Sequence, residues 1–181
     1  SDKPVKKIDY VLYRASPRLK LVESRVIEEA VASDHRPVLA VFGGLAGAQA
    51  LNEFAAETYG ESGPAAVLHI AGERDFEALR PRVRRADYVL LPTAADFGDA
   101  LAVADLAISR AGGTVWELAA TGTPSILVPY PHATADHQAL NARYFEAGGG
   151  AIVVRQEELA LVPALVEELL GTPERLQAMG Q

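Results

Sequence analysis

Three short stretches carry residue types able to do chemistry. The first, "FGGLAGA" from Phe42 to Ala48, places Gly43, Gly44 and Gly47 between an apolar run and a helix-like segment. Glycines there let backbone N–H groups close on an anion at a helix N-terminus, where the dipole favours negative charge. The same residues serve equally as a tight corner between a strand and a helix. The spacing is not G-x-G-x-x-G and no lysine follows, so neither a dinucleotide fingerprint nor a P-loop is supported. The second stretch, "SRAGGTVWEL" from Ser109 to Leu118, repeats the arrangement, with a helix starting near Thr114. Gly112 and Gly113 offer backbone donors to a phosphate. Glu117, one turn further on, can take one hydroxyl of a sugar diol on each carboxylate oxygen, and is equally well explained as a favourable first-turn charge. The third, "PYPHATADHQALNA" from Pro129 to Ala142, gathers Asp136, His137, Gln138 and Asn141 at a helix start. Asp136 has the type and position of an N-cap. His137 and Gln138 point polar groups from the first turn into the same crevice. Together the loops hold the equipment of a diphosphate-and-sugar site.

Other chemistries find less support. "ISRAGG" is not a nucleophile elbow, and the carboxylates are scattered with no glycosidase pair. His132 and His137 have no third ligand nearby, so no metal site is expected. His69, inside an apolar strand pattern, reads as a satisfied core or rim histidine. The chain has no cysteine, which removes disulfides, thiolate zinc sites and thiol catalysis. A net charge of −7 argues against a general nucleic-acid binder. "RPRVRR", Arg80 to Arg85, is the one dense basic cluster and reads as a solvated helix end.

The elements that must position these loops follow from hydrophobic patterning. The 181 residues, 49% hydrophobic and 23% charged, suit one soluble globular domain with a sizeable core. No apolar run approaches the roughly 18 residues that span a bilayer, and no signal peptide is visible. From Pro37 onward, "PVLAVF", "AAVLHIAG", "DYVLLPT", "DLAIS", "PSILVPYP" and "GAIVVR" have the length and apolarity of strands buried on both faces. Helix-spaced segments alternate with them, which predicts an α/β fold with a doubly wound parallel sheet. In such sheets ligands bind beyond the carboxyl ends of the strands, where the three loops lie. Gly122 before Pro124 and Gly148 to Gly150 mark helix ends. Thr172, Pro173 and Glu174 mark the start of a last helix, with Thr172 as its cap. Residues 1–36 differ in composition and read as an extra or connecting segment before the domain at 37–181. The chain starts at Ser1 without a methionine and stops after "ERLQAMGQ", so it reads as a processed or excised piece.

At these loops the chain becomes recognisable. It resembles the C-terminal half of the MurG-type N-acetylglucosaminyltransferases, glycosyltransferase family 28 proteins of the two-domain GT-B fold. The likeness is carried by "FGGLAGAQALNE", by the run from "VLLPTAADFGDALAVADLAISRAGG" to "HQALNARYFEAGGGAIVV", and by "LLGTPERLQAM". The resemblance implies a domain that binds UDP-N-acetylglucosamine as donor. It puts the loop of Gly43, Gly44 and Gly47 at the diphosphate, and Gly112, Gly113 and Thr114 at the phosphate next to the ribose. It puts Glu117 on the ribose hydroxyls, Ala94 and Phe97 around the uracil, and His137 and Gln138 on the sugar hydroxyls with Asn141 nearby. It also implies inverting transfer to a lipid-linked muramoyl-pentapeptide without a metal or cofactor. The base and the acceptor site would belong to a missing or separate N-terminal half. A cytoplasmic place follows, with the inner face of the plasma membrane reached only peripherally through that half.

Two departures bear on this. The family commonly carries serine and glutamine in the first loop, where Leu45 and Ala46 stand here. Loss of one charge-assisted hydroxyl bond to a diphosphate weakens binding by about 1.5–3 kcal/mol. "RAGGTVWE" is also one residue shorter than the commonest family form. The readings set beside donor binding are a degenerate or engineered domain without a donor, the donor half of a split transferase, and a UDP-N-acetylglucosamine 2-epimerase.

Overall fold

A computed structural model describes residues 36–43, 48–94 and 97–181, with the backbone alone at Asp99. Expectations for residues 1–35 and for Gly44 to Gly47 lie outside the described residues.

All six predicted strands are present: β1 (Val38–Phe42), β2 (Ala66–Ile70), β3 (Tyr88–Leu91), β4 (Leu106–Ser109), β5 (Ser125–Leu127) and β6 (Ala151–Val153). They form one parallel sheet in the order β3-β2-β1-β4-β5-β6. Among the described residues, seven α-helices connect and follow them: α1 (Gln49–Tyr59), α2 (Glu73–Leu79), α3 (Phe97–Ala102), α4 (Val115–Thr121), α5 (His137–Ala147), α6 (Val162–Leu170) and α7 (Pro173–Met179).

The strands are largely apolar, with His69, Ser109 and Ser125 the buried polar exceptions, because helices cover both faces. Alternate residues serve opposite sides. Leu39, Val41, Leu106 and Ile108 pack with Leu51 and Ala55 of α1 and with Val162, Val166 and Leu169 of α6. Ala40, Phe42 and Ala107 pack on the other face with Leu101 of α3, Val115 and Leu118 of α4 and Ala142 of α5. Val162, Val166 and Leu169 recur at the spacing of one helix face, and all are fully buried. Each such side chain contributes roughly 1.5–3 kcal/mol by leaving water. The segment "ELALVPALVEELLG" starts as a 3₁₀ helix over Gln156–Leu161 and becomes α-helical only at Val162. Pro163 sits in the first turn of α6, where its missing N–H leaves no helical bond unmade.

Two helix ends carry lessons. Gly122 closes α4 in the left-handed conformation with φ of 63°, as its sequence position predicts. A Cβ at Gly122 would meet the Gly180 carbonyl oxygen at 2.7 Å, and one at Gly180 would meet the Gly122 oxygen at 2.6 Å. Thr172 precedes α7 but makes no capping bond to it. Its hydroxyl donates backward to the Glu168 carbonyl at 2.9 Å, so it completes the end of α6 instead.

Candidate functional site

The strand order reverses between β1 and β4, so the loops after these two strands leave toward opposite faces and open a crevice at their carboxyl ends. A cleft of about 500 Å³ occupies that position. Of the twelve residues expected from sequence, Gly44 and Gly47 lie outside the described ones. Eight of the other ten line the cleft: Gly43, Ala94, Phe97, Gly112, Gly113, Thr114, Glu117 and Gln138.

The glycines of the first two loops differ in kind. A Cβ on Gly43 would stand 2.3 Å from the Ala48 Cβ and 2.5 Å from the Ala48 nitrogen. Gly43 and Ala48 lie so close that the fold itself demands glycine, in keeping with the corner reading. Around Gly112 an added Cβ would find only the Gln138 Nε2, at 3.9 Å, and around Gly113 nothing within 4 Å. Neither has a positive φ. Neither packing nor backbone conformation requires them, and what they leave is bare backbone facing the cleft. Thr114 then precedes α4, whose first turn holds Glu117. The Glu117 carboxylate is exposed and has no ion-pair partner among the described residues.

Gln138 is oriented by its own hydrogen bond. Its Oε1 accepts from the Tyr130 N–H at 2.9 Å, which turns the amide nitrogen toward Gly112 with its two hydrogens available. Asn141 does not line the cleft. Its Nδ2 donates to the Ala111 carbonyl at 3.0 Å and ties α5 to the turn after β4. His137 does not line the cleft either; it is exposed, with Nδ1 paired to the Thr134 carbonyl at 2.7 Å. Asp136 occupies the residue before α5 but makes no capping bond. Capping needs an extended backbone at that position, and Ala135 and Asp136 both have left-handed φ angles, 51° and 52°. At the opposite end, Phe97 packs edge-on to Phe42 with centroids 4.8 Å apart, giving the cleft an aromatic floor.

Sequence reasoning missed Gly72 and Arg110, which also line the cleft. Gly72, after β2, adopts φ 84° and ψ 150°, a conformation open essentially to glycine alone. Arg110 follows a strand buried throughout and is itself only 4% exposed. Its Nη1 donates to the carbonyls of Val128 and Pro129, and Nη2 donates to Gln156. Burial pulls its pKa down, with the nearby Tyr130 opposing the shift. An arginine directly after a short, mostly apolar strand and two residues before a glycine pair was the available signal.

A second polar cluster lies across β1. His69 is completely buried, with Nδ1 2.8 Å from the Tyr88 hydroxyl and Nε2 3.0 Å from the Asn52 Oδ1. Asn52 donates both amide hydrogens, to the Ala71 carbonyl and to Asp75, each at 2.8 Å. Its oxygen is therefore the acceptor, His69 carries its proton on Nε2, and Tyr88 donates to Nδ1. Burial pushes the His69 pKa down to about 4, against a smaller opposite pull from Asp75. The expectation of a satisfied core histidine holds. The basic run is neutralised: Arg80, Arg82, Arg84 and Arg85 pair with Glu77, Glu57, Glu61 and Asp87. Arg85 departs from the solvated reading. Its side chain is 6% exposed and holds the carbonyls of Tyr59 and Ala65. Among the described residues, no group of three metal-ligating side chains occurs and no helix is long and apolar enough to cross a membrane.

The glycosyltransferase family 28 C-terminal domain profile matches residues 38–181. A protein of Nostoc punctiforme named UDP-N-acetylglucosamine–N-acetylmuramyl-(pentapeptide) pyrophosphoryl-undecaprenol N-acetylglucosamine transferase is 40% identical over 154 residues, covering 82% of this chain and 42% of that protein. A protein of the same name from Stutzerimonas stutzeri is 42% identical over 154 residues, covering 80% of this chain and 43% of its own. The chain thus spans less than half the length of these relatives. Among solved structures, MurG of Acinetobacter baumannii aligns with a TM-score of 0.70 at 30% identity, over 82% of this chain and 45% of that one. The calicheamicin glycosyltransferase CalG4 aligns at 0.61 with 26% identity, over 81% of this chain and 38% of that one.

Proposed function

The chain belongs to the glycosyltransferase family 28 C-terminal domains, and on that premise we propose that its cleft binds UDP-N-acetylglucosamine as the donor half of an inverting transferase. Its sheet is the Rossmann-like half of the GT-B architecture seen in the A. baumannii protein. The observation that carries the proposal is the Gly112–Gly113 turn, bare toward the cleft where the fold has no use for glycine.

In this reading the Gly112–Thr114 turn and the N-terminus of α4 give amide donors to the phosphate next to the ribose. Glu117 takes the ribose hydroxyls, one on each oxygen. Ala94 and Phe97 hold the uracil, and Gly43 lies at the diphosphate end. Gln138 offers its amide hydrogens to the sugar, with His137 an outer contact and Asn141 acting through the Ala111 carbonyl. An acceptor hydroxyl attacks the anomeric carbon from the open side as the bond to the UDP oxygen breaks. Fixed amides stabilise the charge growing on the diphosphate, the role a divalent ion plays in other transferases.

The relatives' name gives the acceptor class, a lipid-linked muramoyl-pentapeptide of peptidoglycan synthesis. In this proposal the catalytic base and the acceptor site belong to another domain or chain, which also brings the protein to the membrane surface. The chain alone then binds donor without turnover. Calorimetric titration with UDP and UDP-N-acetylglucosamine tests this. Saturable binding of both is the expected result, and a folded chain giving no heat at millimolar ligand refutes it.

A further inference from the structure

Arginine is rarely taken out of water without an anion to face it. Among the described residues, Arg110 is the exception. It is 4% exposed, and all of its bonded partners are neutral: the carbonyl oxygens of Val128 at 3.1 Å and Pro129 at 3.3 Å, and the Gln156 amide. Its Nε–H is enclosed and has no acceptor among the described residues. Its guanidinium carbon lies over the Tyr130 ring, 5.4 Å from the centroid. Arg85, comparably buried, has the Asp87 carboxylate at 2.7 Å. Desolvating a charge without a counter-charge is costly, and three good hydrogen bonds to neutral oxygens offset it only in part.

We propose that Arg110 is the fixed counter-charge of the cleft, the group that makes the site choose a diphosphate over an uncharged nucleoside. This rests on the reading of the cleft as a nucleotide-diphosphate site. Arg110 lines the same cleft as Gly112 and Gly113 and lies two residues before them in the chain. Its grip on the Val128 and Pro129 carbonyls and on Gln156 prevents it from swinging, so the charge is set before any ligand arrives. In a partly desolvated floor such a charge acts more strongly than in water. The alternative is a strap that ties the loops after β4, β5 and β6, indifferent to the charge of what binds above it.

The two roles separate by ligand charge. The full chain, Arg110→Met and Arg110→Lys are titrated with uridine, UDP and inorganic pyrophosphate, and the arginine Nε–H resonances of ¹⁵N-labelled wild type are followed. Arg110→Met should hold uridine within about twofold of wild type while losing roughly tenfold or more on UDP, and Arg110→Lys should recover most of the loss. The Nε–H signal missing from Arg110→Lys should shift in wild type with UDP and pyrophosphate but not with uridine. Equal losses for uridine and UDP, or an Nε–H unmoved by saturating UDP, overturn the proposal. If Arg110→Met does not fold, the wild-type resonance decides. If wild type binds neither uridine nor UDP, the nucleotide reading fails separately. Pyrophosphate then judges Arg110: a shift keeps it as an anion counter-charge, and no shift ends that role.

Discussion

On either side of β1 the protein buries polar groups, and it treats them in opposite ways. On the β2–β3 side, Asn52, His69 and Tyr88 pair with one another and with the Ala71 carbonyl and Asp75, leaving only the Tyr59 hydroxyl of the same core without a partner among the described residues. On the β4–β5 side, the Arg110 Nε–H has no partner among the described residues, Gln138 turns its amide nitrogen toward Gly112, and two glycines expose backbone. A closed cluster holds the fold in one arrangement, because every member loses a bond if another moves. An open one does nothing for stability that a simpler set of residues would not do as well. What it has is capacity for something that is not protein. The glycines repeat the contrast, since Gly43 is demanded by Ala48 while Gly112 and Gly113 are demanded by nothing in the chain.

That contrast can be broken from either side. The largest effect is expected at Gly43→Ala, where the new methyl group meets Ala48 backbone and the loop must shift. A loss of roughly 3 kcal/mol in urea unfolding is the expected result, and an unchanged midpoint would remove the steric argument. Next comes acid. The folded state keeps His69 neutral with its pKa pushed down to about 4, whereas the unfolded chain takes up that proton near its ordinary 6.5. Stability is therefore full above pH 7 and declines as pH falls through 6.5 toward 4. Between pH 7.5 and 5 the loss is about 2 kcal/mol. The slope should vanish in His69→Gln, and its survival there would assign it to other groups.

On the open side stability should barely move while binding does. Glu117→Ala should leave the unfolding midpoint in place and weaken UDP by about tenfold, the value of one charged hydrogen-bonded contact. Equal affinity would return Glu117 to a first-turn helix charge. The smallest change sharpens the comparison most. Gly113→Ala has room for its methyl and an ordinary φ. It should raise stability by about 0.5 kcal/mol through the unfolded chain while lowering UDP affinity. A variant that gained stability and lost nothing in binding would take the turn out of the site.

Much of this was legible because it is local. Six apolar runs at strand length, each followed by helical spacing, leave little freedom once both sheet faces must be covered. Glu117 and the glycines were legible because a helix N-terminus makes its surroundings chemically predictable. The remainder depends on what the chain brings near from elsewhere. The sequence marks Arg110 as an arginine that follows a buried strand, but not that the partners it meets there are all neutral. Arg85 lies in a run of basic residues, and only Tyr59, Ala65 and Asp87 make it internal. The Thr172 hydroxyl had two helix ends within reach, and the structure gives it to the earlier one. Asn141 carries the right group for a ligand, yet the Ala111 carbonyl is closer.

The contact between Gly122 and Gly180 reaches beyond the helix end it closes. Each glycine's carbonyl oxygen fills the space where the other's side chain would be. No larger residue fits at one position unless the backbone at the other retreats, so the pair is sterically interlocked. Gly122 ends the same seven-residue helix that bears Glu117 in its first turn. At about 1.5 Å per residue, that helix is a rod of about 10 Å. α7 therefore braces the far end of the rod whose near end meets the cleft. The last turn of the chain is a foundation for the site, although it contributes no atom to it.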